Sequence, residues 1–159
     1  MKPSILFFLF FSFFASPINS QSGDSLVFVS LVEKYVCSIE EGDTSMASSI
    51  WAHTPEVTFI RPSGTEYGWN GVKKVVLVFR DYFTQKNLNW FDLRTSVYND
   101  FAWLQFFWEF DAIMKSADSS GQEKLTPVKT KGRETQVWRR INEQWRLVHV
   151  HYSGMPENQ

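Results

Sequence analysis

One cysteine, Cys37, stands among 159 residues, so no disulfide can close within the chain and no cysteine-based zinc cluster can form. Basic residues never run longer than two, and 16 Lys+Arg against 17 Asp+Glu leave a net charge of −1. That balance supplies no field for nucleic acid. Gly-x-Ser-x-Gly elbows, phosphate loops and dinucleotide fingerprints are absent, which excludes the enzyme classes that depend on them. No Asn-x-Ser/Thr sequon occurs, so nothing points to a glycosylated product. Aromatic residues are what the chain has in excess: 15 Phe, 7 Trp and 5 Tyr make 17 % of it. With 43 % hydrophobic and 21 % charged residues, the composition is that of one folded domain rather than a disordered chain.

The N-terminal segment differs from the rest. Lys2 precedes a stretch from Ile5 to Ala15 that is apolar except for Ser12, and Pro17 breaks it. The stretch is well short of the ~20 residues a membrane-spanning helix needs, but it suits a secretory signal. Met1–Ser20 is therefore expected to be a signal peptide, with a single domain over 21–159. Export to a bacterial periplasm or the extracellular space follows, with no stable membrane anchor after cleavage. Cys37 would then enter an oxidising compartment and is expected on the packed side of a helix.

Three amphipathic helices are expected. In the first, Phe28, Leu31, Val32, Tyr35, Val36 and Ile39 recur at helical spacing after Asp24 or Ser25, and Gly42 ends it. The second covers roughly Thr44 to Trp51. The third, capped by Asn70, turns Val72, Val75, Val76, Phe79 and Phe83 inward. Strands are expected at Glu56–Arg61, Asn89–Tyr98, Phe101–Lys115, Val128–Arg140 and Gln144–Ser153, with Ser116–Thr126 as a mobile hairpin tip. The order makes an α+β domain with an antiparallel meander. Along the longest strand Ala102, Leu104, Phe106, Trp108, Phe110 and Ala112 form an apolar face, against Trp103, Gln105, Phe107, Glu109 and Asp111 on a mixed one. The apolar face should receive the helices and the mixed face a partner.

The C-terminal run Arg133-Glu134-Thr135-Gln136-Val137-Trp138-Arg139-Arg140, followed after a turn by Trp145-Arg146-Leu147-Val148-His149-Val150-His151-Tyr152-Ser153-Gly154-Met155-Pro156, resembles the SnoaL-like branch of the nuclear transport factor 2-like superfamily. The run is similar to the association domain of calcium/calmodulin-dependent protein kinase II in its Thr, Trp and His-x-His-x-Ser-Gly-x-Pro positions. Glu41-Gly42-Asp43, Trp51-Ala52, Ile60-Arg61-Pro62, Gly71-Val72 and Ala102-Trp103 extend the likeness over the whole domain. The resemblance implies a cone-shaped, cystatin-like fold, its curved antiparallel sheet wrapped around a long N-terminal helix. A concave apolar pocket and a convex dimer face are implied with it. Members include isomerases, cyclases and dehydratases as well as binders and assembly hubs, so the fold alone names no activity.

Arg61 falls where the resemblance places the general base of ketosteroid isomerases, and a guanidinium cannot take up a proton at neutral pH. It would serve instead as a partner for a carboxylate or enolate oxygen, unless it pairs with Glu56, Glu66 or Asp92. Trp108, Gln136 and Tyr152 align with pocket arginines of the kinase association domain but are neutral here. Together with Phe106, Phe110 and Trp138 they describe an aromatic pocket for a small hydrophobic molecule, with Tyr152 as a candidate acid. His149 and His151 share a face that Glu109 could approach, but the resemblance makes this His-x-His a structural feature of the convex side, so no metal and no cofactor is expected. Every carboxylate the pattern places lies on a helix surface or the mixed face; Glu40 and Glu41 read as solvated charges.

Two functions are expected from this reading. One is small-molecule binding, with isomerase- or lyase-like proton transfer. The other is homodimerisation or assembly through Trp103, Gln105, Phe107, His149 and His151.

Overall fold

The computed structural model describes residues 21–154; the expected signal peptide and Met155-Pro156 lie outside the described residues. Helix α1 spans Gln21–Glu41 and α2 Thr44–Ile50; strands β1 (Thr58–Arg61) and β2 (Gly64–Tyr67) form a hairpin leading into α3 (Gly68–Tyr82). Four long strands follow: β3 (Phe83–Tyr98), β4 (Phe101–Ala117), β5 (Glu123–Ile141) and β6 (Gln144–Gly154). They form one six-stranded sheet in the order β2-β1-β6-β5-β4-β3.

The expected core stripe of α1 is buried: Phe28, Val32, Tyr35, Val36 and Ile39 all lie against the sheet or the other helices. Gly42 closes α1 at φ +67°, a conformation that suits glycine, as Asp43 N–H donates to Ser38 O at 2.9 Å. Asp43 then caps α2, its Oδ1 accepting from the backbone N–H of Ser45 and Met46 at 2.7 and 3.0 Å. Cys37 is half-buried at the edge of the packed stripe and is a free thiol. Burial and the nearby Glu41 and Glu40 carboxylates push that thiol's pKa up, so its reactive thiolate is disfavoured.

The fold departs from the pattern-based expectation in several places. Helix α3 ends at Tyr82, so Phe83, expected on it, instead opens β3 well before the expected Asn89, and β5 likewise begins before the expected Val128. The sheet is antiparallel from β3 to β6, but β1 joins β6 in parallel, pairing Thr58 with His149 and Ile60 with His151. Strand β2 is an edge strand of four residues, too short and too exposed to show alternation. It runs directly into α3, so the helix begins at Gly68 with no side-chain cap, and Asn70 lies inside it. The hairpin tip between β4 and β5 is also tighter than expected, because Asp118 Oδ1 accepts from the backbone N–H of Ser120 and Gln122 and holds the turn.

Cross-strand register sorts the sheet into rows. On the helix-covered face, Phe106 on β4 pairs with Glu134 on β5 and Glu134 with Tyr152 on β6; the next row is Trp108, Gly132 and Gly154. On the opposite face Trp103 pairs with Val137 and Val137 with His149, while Gln105 pairs with Thr135 and Thr135 with His151.

Candidate functional site

A cavity of about 260 Å³ opens between α1, α3 and the helix-covered face of the sheet. Helix α1 contributes Tyr35, Val36 and Ile39; β1 contributes Phe59; and β4 contributes Phe106, Trp108 and Phe110. At one end Phe79, Phe83 and Phe110 pack on one another with ring centroids 5.5 to 5.6 Å apart. At the other end Tyr152 meets Phe59 and Trp108 edge to face, at 5.9 and 5.7 Å. The walls are thus aromatic, as expected for the apolar face.

Of the residues expected to line a pocket, Phe106, Trp108, Phe110 and Tyr152 do so. Arg61 does not: its Nη2 donates to Glu66 Oε1 at 3.1 Å across the β1–β2 hairpin. One edge of the guanidinium is thereby taken by a protein carboxylate, one of the three partners the sequence left open, while its buried Nε has no hydrogen-bond partner, and its charge reaches the site by lowering the Tyr152 pKa. Gln136 and Trp138 are corrections as well. Both share the parity of the cavity face, but both are wholly buried beyond it in the core, where Trp138 packs edge-on against Phe28 at 6.2 Å.

Gln136 and Trp138 instead support a residue the sequence reading passed over. Glu134 lines the cavity and is 5 % exposed. Trp138 Nε1–H donates to Gln136 Oε1 at 2.9 Å, and Gln136 Nε2–H donates to Glu134 Oε1 at 2.8 Å. The nearby Tyr35 hydroxyl also favours the ionised form of the carboxyl. These neighbours favour the carboxylate, yet burial outweighs them and raises Glu134 to about 8. Burial, foremost, together with the Glu134 carboxyl raises the Tyr35 hydroxyl well above its ordinary value; burial also raises Tyr152, against the lowering by Arg61. The expectation that all carboxylates lie on helix surfaces or the mixed face is therefore wrong for Glu134. Its position two residues before Gln136 gives the face it shares, while its burial comes from the flanking strands.

Glu40 is corrected too: its Oε1 accepts from the backbone N–H of Leu88 at 2.6 Å, tying the end of α1 to β3 beside the cavity. On the opposite face, Trp103 is exposed and Gln105 and Phe107 are half-buried, with Phe107 stacked on Phe91 at 5.9 Å. Thr58 Oγ1 and His149 Nδ1 lie 2.5 Å apart, and burial with the neighbouring His151 lowers the His149 pKa. His151 is exposed. Among the described residues no group of three His, Cys, Asp or Glu is placed to hold a metal ion. No described helix is long and apolar enough to cross a membrane.

None of the curated proteins matches the chain. Among solved structures, a nuclear transport factor 2-like superfamily protein from Salmonella enterica is 30 % identical with a TM-score of 0.75, over 88 % of this chain and 96 % of that one. The association domain of calcium/calmodulin-dependent protein kinase II from C. elegans is 15 % identical with a TM-score of 0.64, over 86 % and 99 %. A type 2 hexachlorocyclohexane dehydrochlorinase is 13 % identical with a TM-score of 0.69, over 84 % and 86 %. The last two likenesses are of fold. The SnoaL-like domain family matches residues 29–157, and the chain belongs to that family.

Proposed function

We propose that the protein is exported, binds a small hydrophobic molecule in the aromatic cavity, and exchanges a proton with it through Glu134. The observation that carries this reading is a buried carboxyl, raised to about 8, inside an otherwise apolar chamber flanked by the Tyr35 and Tyr152 hydroxyls. A general acid or base works best when its pKa lies near the working pH, and burial brings this carboxyl there. Proton transfer of this kind is the elementary step of isomerase and lyase chemistry. Export is supported by the apolar stretch between Lys2 and Pro17.

A thermal-shift series with small neutral aromatic alcohols and ketones tests the binding claim. A ligand at 100 times its Kd adds about 2.7 kcal/mol of stability. Val128→Trp, which narrows the cavity from β5, should abolish the shift. Identical shifts in the variant, or none with any compound in the native chain, would refute binding in this cavity.

A second reading concerns the other face of the sheet. Trp103, Phe101 and Phe91 are 38, 39 and 48 % exposed, an apolar stripe that suits burial against a second copy of the chain. Homodimerisation through this face is compatible with a working cavity on the opposite one. Sedimentation at tens of micromolar should give a dimer, and Trp103→Glu should shift it to monomer; a native monomer would dismiss the interface.

A further inference from the structure

We propose that the ligand of the cavity is a small hydrophobic amine, bound as its ammonium ion against the Glu134 carboxylate. The inference rests on the ligand-binding reading above and names the chemical class. It starts from what Glu134 is given and what it lacks. Trp138 Nε1–H can only donate, so Gln136 must turn Oε1 towards it and Nε2 towards Glu134. The donor on Glu134 Oε1 is thus fixed by the core and cannot flip to become an acceptor. The nearby Tyr35 hydroxyl acts in the same direction. Both favour a negative charge on Glu134.

An ionised buried carboxylate also needs a cation, and none of the described residues supplies one to Glu134. From α1 the titratable neighbour is Tyr35, and from β6 it is Tyr152. Phe106, its partner in the β4 row, carries no charge. Arg61 on β1 is engaged by Glu66 and acts on Tyr152. Lys86 on β3 donates to the Phe79 carbonyl at 3.2 Å, and the carboxylates acting on it are Glu40 and Glu41. A positive partner for the ionised form would therefore come from a ligand in the cavity.

The walls suit such a guest. Phe59, Trp108 and Tyr152 line the cavity near the carboxyl, their rings packed edge to face, and give an ammonium ion aromatic neighbours there. Phe79, Phe83 and Phe110 at the far end would receive the hydrocarbon portion. An anion would meet the Glu134 carboxyl, and Arg61, the guanidinium that acts on Tyr152, does not line the cavity. A neutral acceptor would gain one hydrogen bond from protonated Glu134, whereas an ammonium ion gains a charge pair out of water together with the aromatic neighbours.

Isothermal titration of the protein with 2-phenylethylamine and with the neutral 2-phenylethanol, at pH 6.5 and 7.5 and in two buffers of different ionisation enthalpy, tests this. The amine should bind about tenfold tighter than the alcohol or better at pH 7.5. Its Kd should fall nearly tenfold per pH unit, because Glu134 releases one proton as the ammonium ion binds, while that of the alcohol stays level. Glu134→Gln should lose the preference for the amine over the alcohol. Equal affinities in the native protein, or a preference that survives in Glu134→Gln, would overturn the amine inference and leave the cavity reading standing. Binding of neither probe would overturn both.

Discussion

Glu134→Gln should make the protein more stable, and increasingly so as the pH rises. In the unfolded chain this carboxyl ionises near 4.5; in the fold it holds its proton to about 8. Between those values the folded state binds the extra proton, so stability falls as pH rises, and the loss is complete only above the folded pKa. The contribution is intact below about pH 4.5, and by pH 7.5 it has fallen by roughly 3 kcal/mol or more at 1.36 kcal/mol per unit of displacement. Glutamine has the same shape, can still accept from Gln136 Nε2, and does not ionise. Denaturant melts at pH 5 should therefore place the two proteins close together, and melts at pH 7.5 should favour the variant by about that amount. The difference curve isolates Glu134, because the exposed carboxylates titrate alike in both proteins. Parallel stability curves from pH 5 to 8 would show that Glu134 ionises normally, and the proton-transfer role would go with it.

Natural selection tolerates such a cost where function draws on it, and here the cost is concentrated in the one buried carboxylate among the described residues. That argues for the cavity as the working part of the molecule. The exposed aromatic stripe on the other face has an ordinary explanation as an interface and carries no comparable strain.

The parts of this arrangement visible in the sequence are those governed by local periodicity. Phe28, Val32, Tyr35, Val36 and Ile39 declare the buried side of α1, and alternation from Ala102 to Ala112 declares the helix-covered face of β4. What the sequence hides depends on pairing between distant segments. Glu134 follows Arg133 in a polar run, and its burial arises from Phe106 and Tyr152 on the flanking strands and from Tyr35 overhead. Arg61 is open to several readings in the sequence because β2, four residues at a sheet edge, carries no alternation, and it is β2 that brings Glu66 to it. The parallel pairing of β1 with β6 joins residues some ninety positions apart, and no local pattern encodes it.

Gly132 is another position whose importance only the fold reveals, and its replacement should be among the most damaging single changes. It pairs with Trp108 on one side and Gly154 on the other, and the Trp108 ring lies directly over it. A Cβ there would stand 2.6 Å from Trp108 Cζ2 and closer still to the Ser153 carbonyl oxygen. The ring can swing aside only into the cavity it lines, and the carbonyl belongs to the backbone of a paired strand. Gly132→Ala should therefore cost about 3 kcal/mol or more, at the upper end of overpacking because no flexible side chain can yield cheaply. The displaced indole should also fill the ligand space, so thermal shifts with aromatic alcohols should vanish in whatever fraction folds. Gly154→Ala is the control: its added Cβ meets nothing nearer than the Lys131 carbonyl oxygen at 4.0 Å, and the change should be close to neutral. Adding Trp108→Leu to Gly132→Ala separates the two obstacles. If the ring is a principal one, the double variant should be less destabilised than the sum of the single changes; strict additivity would assign the damage to the β5–β6 backbone alone.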